Sequence, residues 1–130
     1  MSKLTEVMKC NPSFYGEKGV SLIQIEDAEK ALGLQFAPDF KECLQEFGAI
    51  SIEGHDLTGF SADKYLDVVY VTQENLKKLN PGKGFYVIEE AHIDGIVIWQ
   101  DASGAVYETS PNSEAVKIAD SLAEYLGIGQ

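Results

Sequence analysis

At 130 residues the chain has the length of one domain, enough to bury about 65–70% of its unfolded surface without disulfide or metal staples. Its apolar fraction of 45% excludes a disordered chain, and no apolar run is long enough to span a bilayer. Twenty-one acids oppose ten lysines with no arginine, for a net charge of −11; direct nucleic-acid binding, which needs a basic footprint and favours the arginine fork, is disfavoured.

The N-terminus, Met1-Ser2-Lys3-Leu4-Thr5-Glu6, has no apolar h-region or small-residue cleavage site. An unexported, cytoplasmic protein is therefore expected, with Cys10 and Cys43 as reduced thiols rather than a bridge. No repeat, linker or low-complexity run divides the sequence, so residues 1–130 are read as a single domain.

Leu4 and Met8 can line a short first helix that Asn11-Pro12 ends, and residues 10–19 read as loop. The next helix is the best specified. Ser21 and Gln24 have capping-box spacing, Val20 and Ile25 that of a hydrophobic staple, and Leu22, Ile25, Ala28 and Leu32 share a face closed by Gly33. A third helix starts at Pro38, carries Phe40, Cys43, Leu44 and Phe47 at i, i+3, i+4, i+7, and stops at Gly48.

After Gly48 the period changes to two. Ala49–Ile52 and Leu57–Phe60 read as strands flanking a Glu53-Gly54-His55-Asp56 turn, and Val68-Val69-Tyr70-Val71 as a β-branched strand. Thr72 then has the character of an N-cap for a short helix to Leu79, stopped by Asn80-Pro81-Gly82. Phe85–Ile88, Ile93–Gln100 and Ala105–Thr109 predict a meander, and a last helix carries Ile118, Ala119, Leu122 and Leu126. Helices followed by antiparallel strands and a closing helix indicate an α+β fold.

Ile25, Ala28-Glu29, Leu32-Gly33, Pro38-Asp39-Phe40 and Phe47-Gly48 together resemble the N-terminal signature of the SUKH superfamily. That superfamily includes the Smi/Knr cell-wall regulators and many bacterial immunity proteins. The similarity extends from about Ser21 to Leu126. It includes Tyr86-Val87-Ile88, Gly95 to Trp99, and Ile118-Ala119 with Glu124-Tyr125-Leu126. The resemblance implies helices packed on a bent, mainly antiparallel sheet. It also implies a protein that binds another protein, many relatives being antitoxins that neutralise secreted polymorphic toxins by direct contact.

No chemistry is spelled out elsewhere. Glu53-Gly54-His55-Asp56 offers three ligand types, but the spacing fits no closed zinc or calcium loop, and the other histidine, His92, is distant. His92-Ile93-Asp94 has no serine or cysteine nucleophile in an activating motif. Asn80-Pro81-Gly82-Lys83-Gly84 lacks the spacing and the following helix of a phosphate loop. Glu89 and Glu90, adjacent on a strand, point to opposite faces and cannot act on one substrate. Cys43 sits on an apolar stripe and reads as a small hydrophobe. No enzyme activity, metal or cofactor is expected.

From Glu89 onward there are eight acids (Glu89, Glu90, Asp94, Asp101, Glu108, Glu114, Asp120, Glu124) and one lysine, Lys117. The surplus reads either as plain solubility or as an acidic face that steers and holds a basic partner. In Ile96-Val97-Ile98-Trp99-Gln100 both faces are apolar, as in a central strand covered on both sides. Trp99 is then either a core anchor or a partly exposed one within an acidic interface.

These readings combine into one expectation: an immunity protein, or antitoxin, of bacterial toxin–antitoxin type. It would neutralise a cognate toxin, a basic nuclease, by stoichiometric binding, with Glu89, Glu90, Asp94, Trp99, Asp101 and Glu108 as the partner-binding set. No direct nucleic-acid or membrane contact is expected, and a monomer is the expected state. The alternative is a regulatory or scaffolding protein-interaction module of the Smi/Knr type.

Overall fold

The structure, a computed structural model, describes residues 3–111 and 113–128. Helix α1 (Lys3–Lys9) leads into the two-residue strand β1 (Tyr15–Gly16), helix α2 (Leu22–Leu32) and helix α3 (Pro38–Phe47). Both bounds of α2 and α3 match the sequence reading. Their caps explain why: the Ser21 hydroxyl accepts the Gln24 N–H while the Gln24 side chain accepts the Ser21 N–H, and Gly33 closes α2 at φ 68°. Ile25 and Ala28 are buried as expected, but Leu22, on the first turn beyond the core's edge, is half exposed.

The chain then forms β2 (Ile50–Ile52) and β3 (His55–Leu57), joined by Glu53-Gly54 with φ 51° and 78°. Two consecutive left-handed residues match the twist of the flanking strands in a tight hairpin. β1, β2 and β3 form one antiparallel sheet. A second sheet is a four-stranded antiparallel meander of β4 (Tyr86–Glu90), β5 (Val97–Gln100), β6 (Val106–Ser110) and β7 (Ser113–Ala119). The expected bent sheet is thus realised as two sheets. They meet where Thr58, just after β3, donates its N–H to the Ile88 carbonyl at 2.8 Å and its hydroxyl to the Val87 carbonyl at 2.7 Å.

Three elements correct the sequence reading. The strand placed at Leu57–Phe60 is β3 over His55–Leu57, because Glu53 and Gly54 alone make the turn and His55 already pairs with Ile52. Val68-Val69-Tyr70-Val71 is not a strand but the first turn of helix α4 (Val68–Leu76). Asp67 caps it, its carboxylate accepting the Tyr70 N–H at 3.0 Å, and the buried Val68, Val71, Thr72 and Asn75 recur at helical spacing. Thr72, read as an N-cap, lies inside the helix and uses its hydroxyl to accept the Val87 N–H of β4 at 2.9 Å. Ile118 and Ala119 belong to β7, and the last helix is the shorter α5 (Leu122–Leu126), capped by Ser121 on the Glu124 N–H. The α+β architecture is as expected.

The meander separates two apolar clusters. On one face Tyr86, Ile88, Ile98, Val106 and Ala119 pack with Ile25, Phe36, Phe40, Leu44, Leu122 and Leu126 from the helices. On the other, Val87, Val97 and Trp99 pack with Val71 of α4, flanked by Tyr70, Leu79, Phe85 and Tyr107. Phe40, Leu44 and Phe47 are buried, as their spacing predicts.

Candidate partner-binding surface

The signature residues are internal fastenings. The Glu29 carboxylate, buried on α2, accepts the Phe36 N–H at 2.8 Å and meets Lys41 Nζ at 3.3 Å. This holds the link between α2 and α3. Asp39, on the first turn of α3, accepts Gln100 Nε2 with one oxygen and the Leu122 N–H with the other, both at 3.0 Å. Gln100 continues inward: its Oε1 accepts the Tyr86 hydroxyl at 2.7 Å, and that hydroxyl accepts the Ala37 N–H at 2.8 Å. Burial raises the Tyr86 hydroxyl well above its ordinary pKa, and nearby Asp39 adds to the effect.

The six residues expected to bind a partner are divided by the fold. Trp99 is fully buried, with Nε1 donating to Thr109 Oγ1 at 2.9 Å beneath α4. This corrects the exposed-anchor reading: β5 is central and covered on both faces, so Trp99 touches no partner in this conformation. Glu89 is also internal, at 8% exposure. A register shift between Val87 and Glu89 re-aims β4, and the carboxylate meets His55 Nδ1 at 2.8 Å, the Tyr125 hydroxyl, and the Asp56 N–H at 3.2 Å. It ties the β2–β3 hairpin and α5 to the meander. Burial, and then Glu89, push the Tyr125 hydroxyl above its ordinary range.

The sequence reading missed this His55–Glu89–Tyr125 cluster. His55 and Tyr125 lie 34 and 36 positions from Glu89, with no local pattern to connect them. His55, which the sequence places in a turn, is the first residue of β3.

Glu90 projects to the opposite face, as alternation requires, where its Oε2 accepts Asn75 Nδ2 at 2.8 Å. Asp101 is half-buried and folds its own turn, accepting both the N–H and the hydroxyl of Ser103. Glu108 is half-buried on β6 opposite Val116. Asp94 is exposed in the β4–β5 turn at φ 54°.

The exposed acids of the C-terminal third are therefore Asp94, Glu114, Asp120 and Glu124. Lys117 is paired with Asp120, which raises the lysine's pKa and offsets the charge of that one acid, leaving Asp94, Glu114 and Glu124 without a basic partner among the described residues. Exposed apolar side chains lie in the same segment: Ile93 at 62%, Val116 at 57% and Ile118 at 43%. Exposed acids and exposed apolar side chains in one C-terminal segment are of the kinds suited to a basic protein partner.

Other chemistry is sparse. Among the described residues no three His, Cys, Asp or Glu side chains are grouped to hold a metal ion, and no helix is long and apolar enough to cross a membrane. Cys43 is buried, and that burial, with Asp39 and Glu42 nearby, holds its thiol protonated by raising its pKa. Cys10 is exposed and free.

No curated protein gives a significant match to the chain. The SUKH_6 family model, described as SMI1-KNR4 cell-wall, matches residues 23–126. That span runs from the start of α2 to the end of α5 and includes the Glu29 and Asp39 fastenings and the whole meander. The chain belongs to the SMI1-KNR4 family of the SUKH superfamily.

Proposed function

We propose that this protein is an immunity protein, neutralising a cognate polymorphic or secreted toxin by direct stoichiometric binding without catalysis. The observation that carries the reading is the exposed acid surplus on a fold whose buried polar groups are occupied with each other. Asp94, Glu114, Asp120 and Glu124 face solvent, while Glu29, Asp39 and Glu89 are committed to internal bonds. A toxin that acts on nucleic acid needs a basic groove, and an acidic protein of net charge −11 is an electrostatic competitor for that groove. The partner is accordingly proposed to be a basic nuclease, met in the cytoplasm of a bacterial cell.

The test is association kinetics with the toxin domain that this reading expects to be encoded beside the chain. Asp94→Lys, Glu114→Lys and Asp120→Lys should each slow association at low salt, with the difference shrinking as salt rises. Exposed charges are screened beyond a Debye length of about 8 Å at physiological ionic strength. Tight association with no salt dependence and no effect of these reversals would remove the electrostatic mechanism.

A second reading, a regulatory or scaffolding module, is favoured by the family description itself, which refers to the cell wall. Stable association with several cellular proteins and none with the neighbouring toxin would select it.

A further inference from the structure

A cleft of about 360 Å³ opens on the second face of the meander, where the C-terminal end of α4 approaches the turns at one end of the sheet. Its apolar lining is Leu79, Ile96, Val97 and Pro111, and its polar lining includes Asn75 and Glu90. The β4–β5 and β6–β7 turns close against each other here, so tightly that a Cβ on Gly95 would lie 2.8 Å from Pro111 Cγ. His92 and Asp94, on the β4–β5 turn, both hold left-handed backbone at φ 58° and 54°. Aspartate and histidine tolerate this region better than most side chains, which lets the turn fold tightly.

The inner wall of the cleft presents acceptors, while the exposed His92 and Lys78, which also line it, can donate. Asn75 is 5% exposed, and its Nδ2 donates to the Val71 carbonyl at 2.9 Å and to Glu90 Oε2 at 2.8 Å. Both donor hydrogens are used, and since no buried side-chain polar atom lacks a partner among the described residues, the unengaged Asn75 Oδ1 is an acceptor open to solvent. The half-buried Glu90 carboxylate likewise keeps Oε1 for an incoming donor. Two acceptors, one of them charged, sit beside an apolar wall. The complementary ligand is a cation with several donors, no acceptor and a long apolar stem, which describes arginine and, with fewer donors, lysine.

We propose that this cleft receives an arginine or lysine side chain of the protein partner, its stem on Leu79, Ile96, Val97 and Pro111 and its charge on Glu90 and Asn75. The proposal deepens the binding reading above and rests on it. Lys78 lines the rim as a competing cation, and its exposed stem lets it swing away when the site fills.

The test is a titration of the full chain, followed by amide ¹H–¹⁵N spectra, with N-acetyl-arginine amide as probe and N-acetyl-citrulline amide as its uncharged isostere. Saturable shifts at Leu79, Gly95, Ile96 and Val97 are expected with the arginine probe, and binding weaker by about tenfold with citrulline. Tenfold corresponds to about 1.4 kcal/mol, close to the lower end of what a hydrogen bond to a charged group contributes. Glu90→Gln keeps an acceptor for Asn75 and should weaken the arginine probe by a similar factor. Lys78→Ala should strengthen it by about twofold, through loss of one competing charge.

Equal binding of both probes, no saturable shift at the cleft, or shifts spread over Glu114, Asp120 and Glu124 instead would each overturn the proposal. So would a tighter site for N-acetyl-glutamate amide centred on Lys78. These outcomes are independent of growth protection by the chain, so failure of the cleft and failure of the immunity reading are told apart.

Discussion

Asp39 accepts the backbone N–H of Leu122 at 3.0 Å across 83 positions of sequence. Its other oxygen takes Gln100 Nε2 of the central strand β5. One carboxylate on the first turn of α3 therefore caps α5 and anchors the meander, joining the N-terminal helices to both C-terminal elements. Asp39→Ala should destabilise the fold by about 2–3 kcal/mol, since it leaves donors in a partly buried network unpaired. Urea unfolding measures this, and a loss below about 0.5 kcal/mol would mean that the network tolerates the gap.

The packing prediction concerns Phe40. It is buried against Phe36 and Tyr86, with ring centroids 5.2 and 5.1 Å away. Phe40→Ala should cost about 3–5 kcal/mol if the cavity does not collapse. Phe40→Leu should cost markedly less, because most of the volume is kept. Similar losses for both variants in denaturant titrations would contradict the packing account.

Glu89 makes a contrasting case among the acids. Glu89→Ala strips a shared acceptor from His55, Tyr125 and the Asp56 amide. It should lower stability by about 2–3 kcal/mol. Asp94→Ala, at an exposed turn, should leave stability within about 0.5 kcal/mol of the parent. Thermal melts of the two variants side by side decide whether Glu89 is internal, and equal melting temperatures would contradict this.

Alkaline stability follows from Tyr86 and Tyr125, whose hydroxyls are both raised, chiefly by burial. A raised pKa in the folded state means the unfolded chain loses its proton first. Stability from this source is complete below pH about 10, the ordinary tyrosine value, and falls as pH rises beyond it. Phenolate absorbance from these two of the six tyrosines should appear only together with loss of near-ultraviolet circular dichroism. In Tyr86→Phe and Tyr125→Phe that cooperative component should shrink. Full ionisation of all six with native dichroism intact would be the contrary result.

Local signals in the sequence were sufficient where the structure is local. The capping box at Ser21 and Gln24, and Pro38 with the Phe40–Phe47 stripe, specify α2 and α3 to the residue. Val68-Val69-Tyr70-Val71 misled because β-branched residues favour strands only weakly. The Asp67 cap and the helical spacing of Val68, Val71, Thr72 and Asn75 outweigh that preference. Ile118 and Ala119 were drawn into a helix by their spacing to Leu122, although Ser121 and Glu124 mark the true start of α5. The surface was the least legible part. Whether an acid points outward or inward depends on a bulge in β4 and on partners dozens of residues away, so Glu89 and Asp94 read alike until the chain is folded.

The central claim is that the chain protects a cell by binding a toxin. Co-expression with the toxin domain that this claim expects in the adjacent reading frame, scored as growth, tests it most directly. The account predicts that the wild-type chain restores growth and recovers the toxin as a stoichiometric complex, while the triple variant Asp94→Lys, Glu114→Lys, Asp120→Lys stays folded but protects poorly. Failure of the soluble wild-type chain to restore growth or to bind that domain would contradict it.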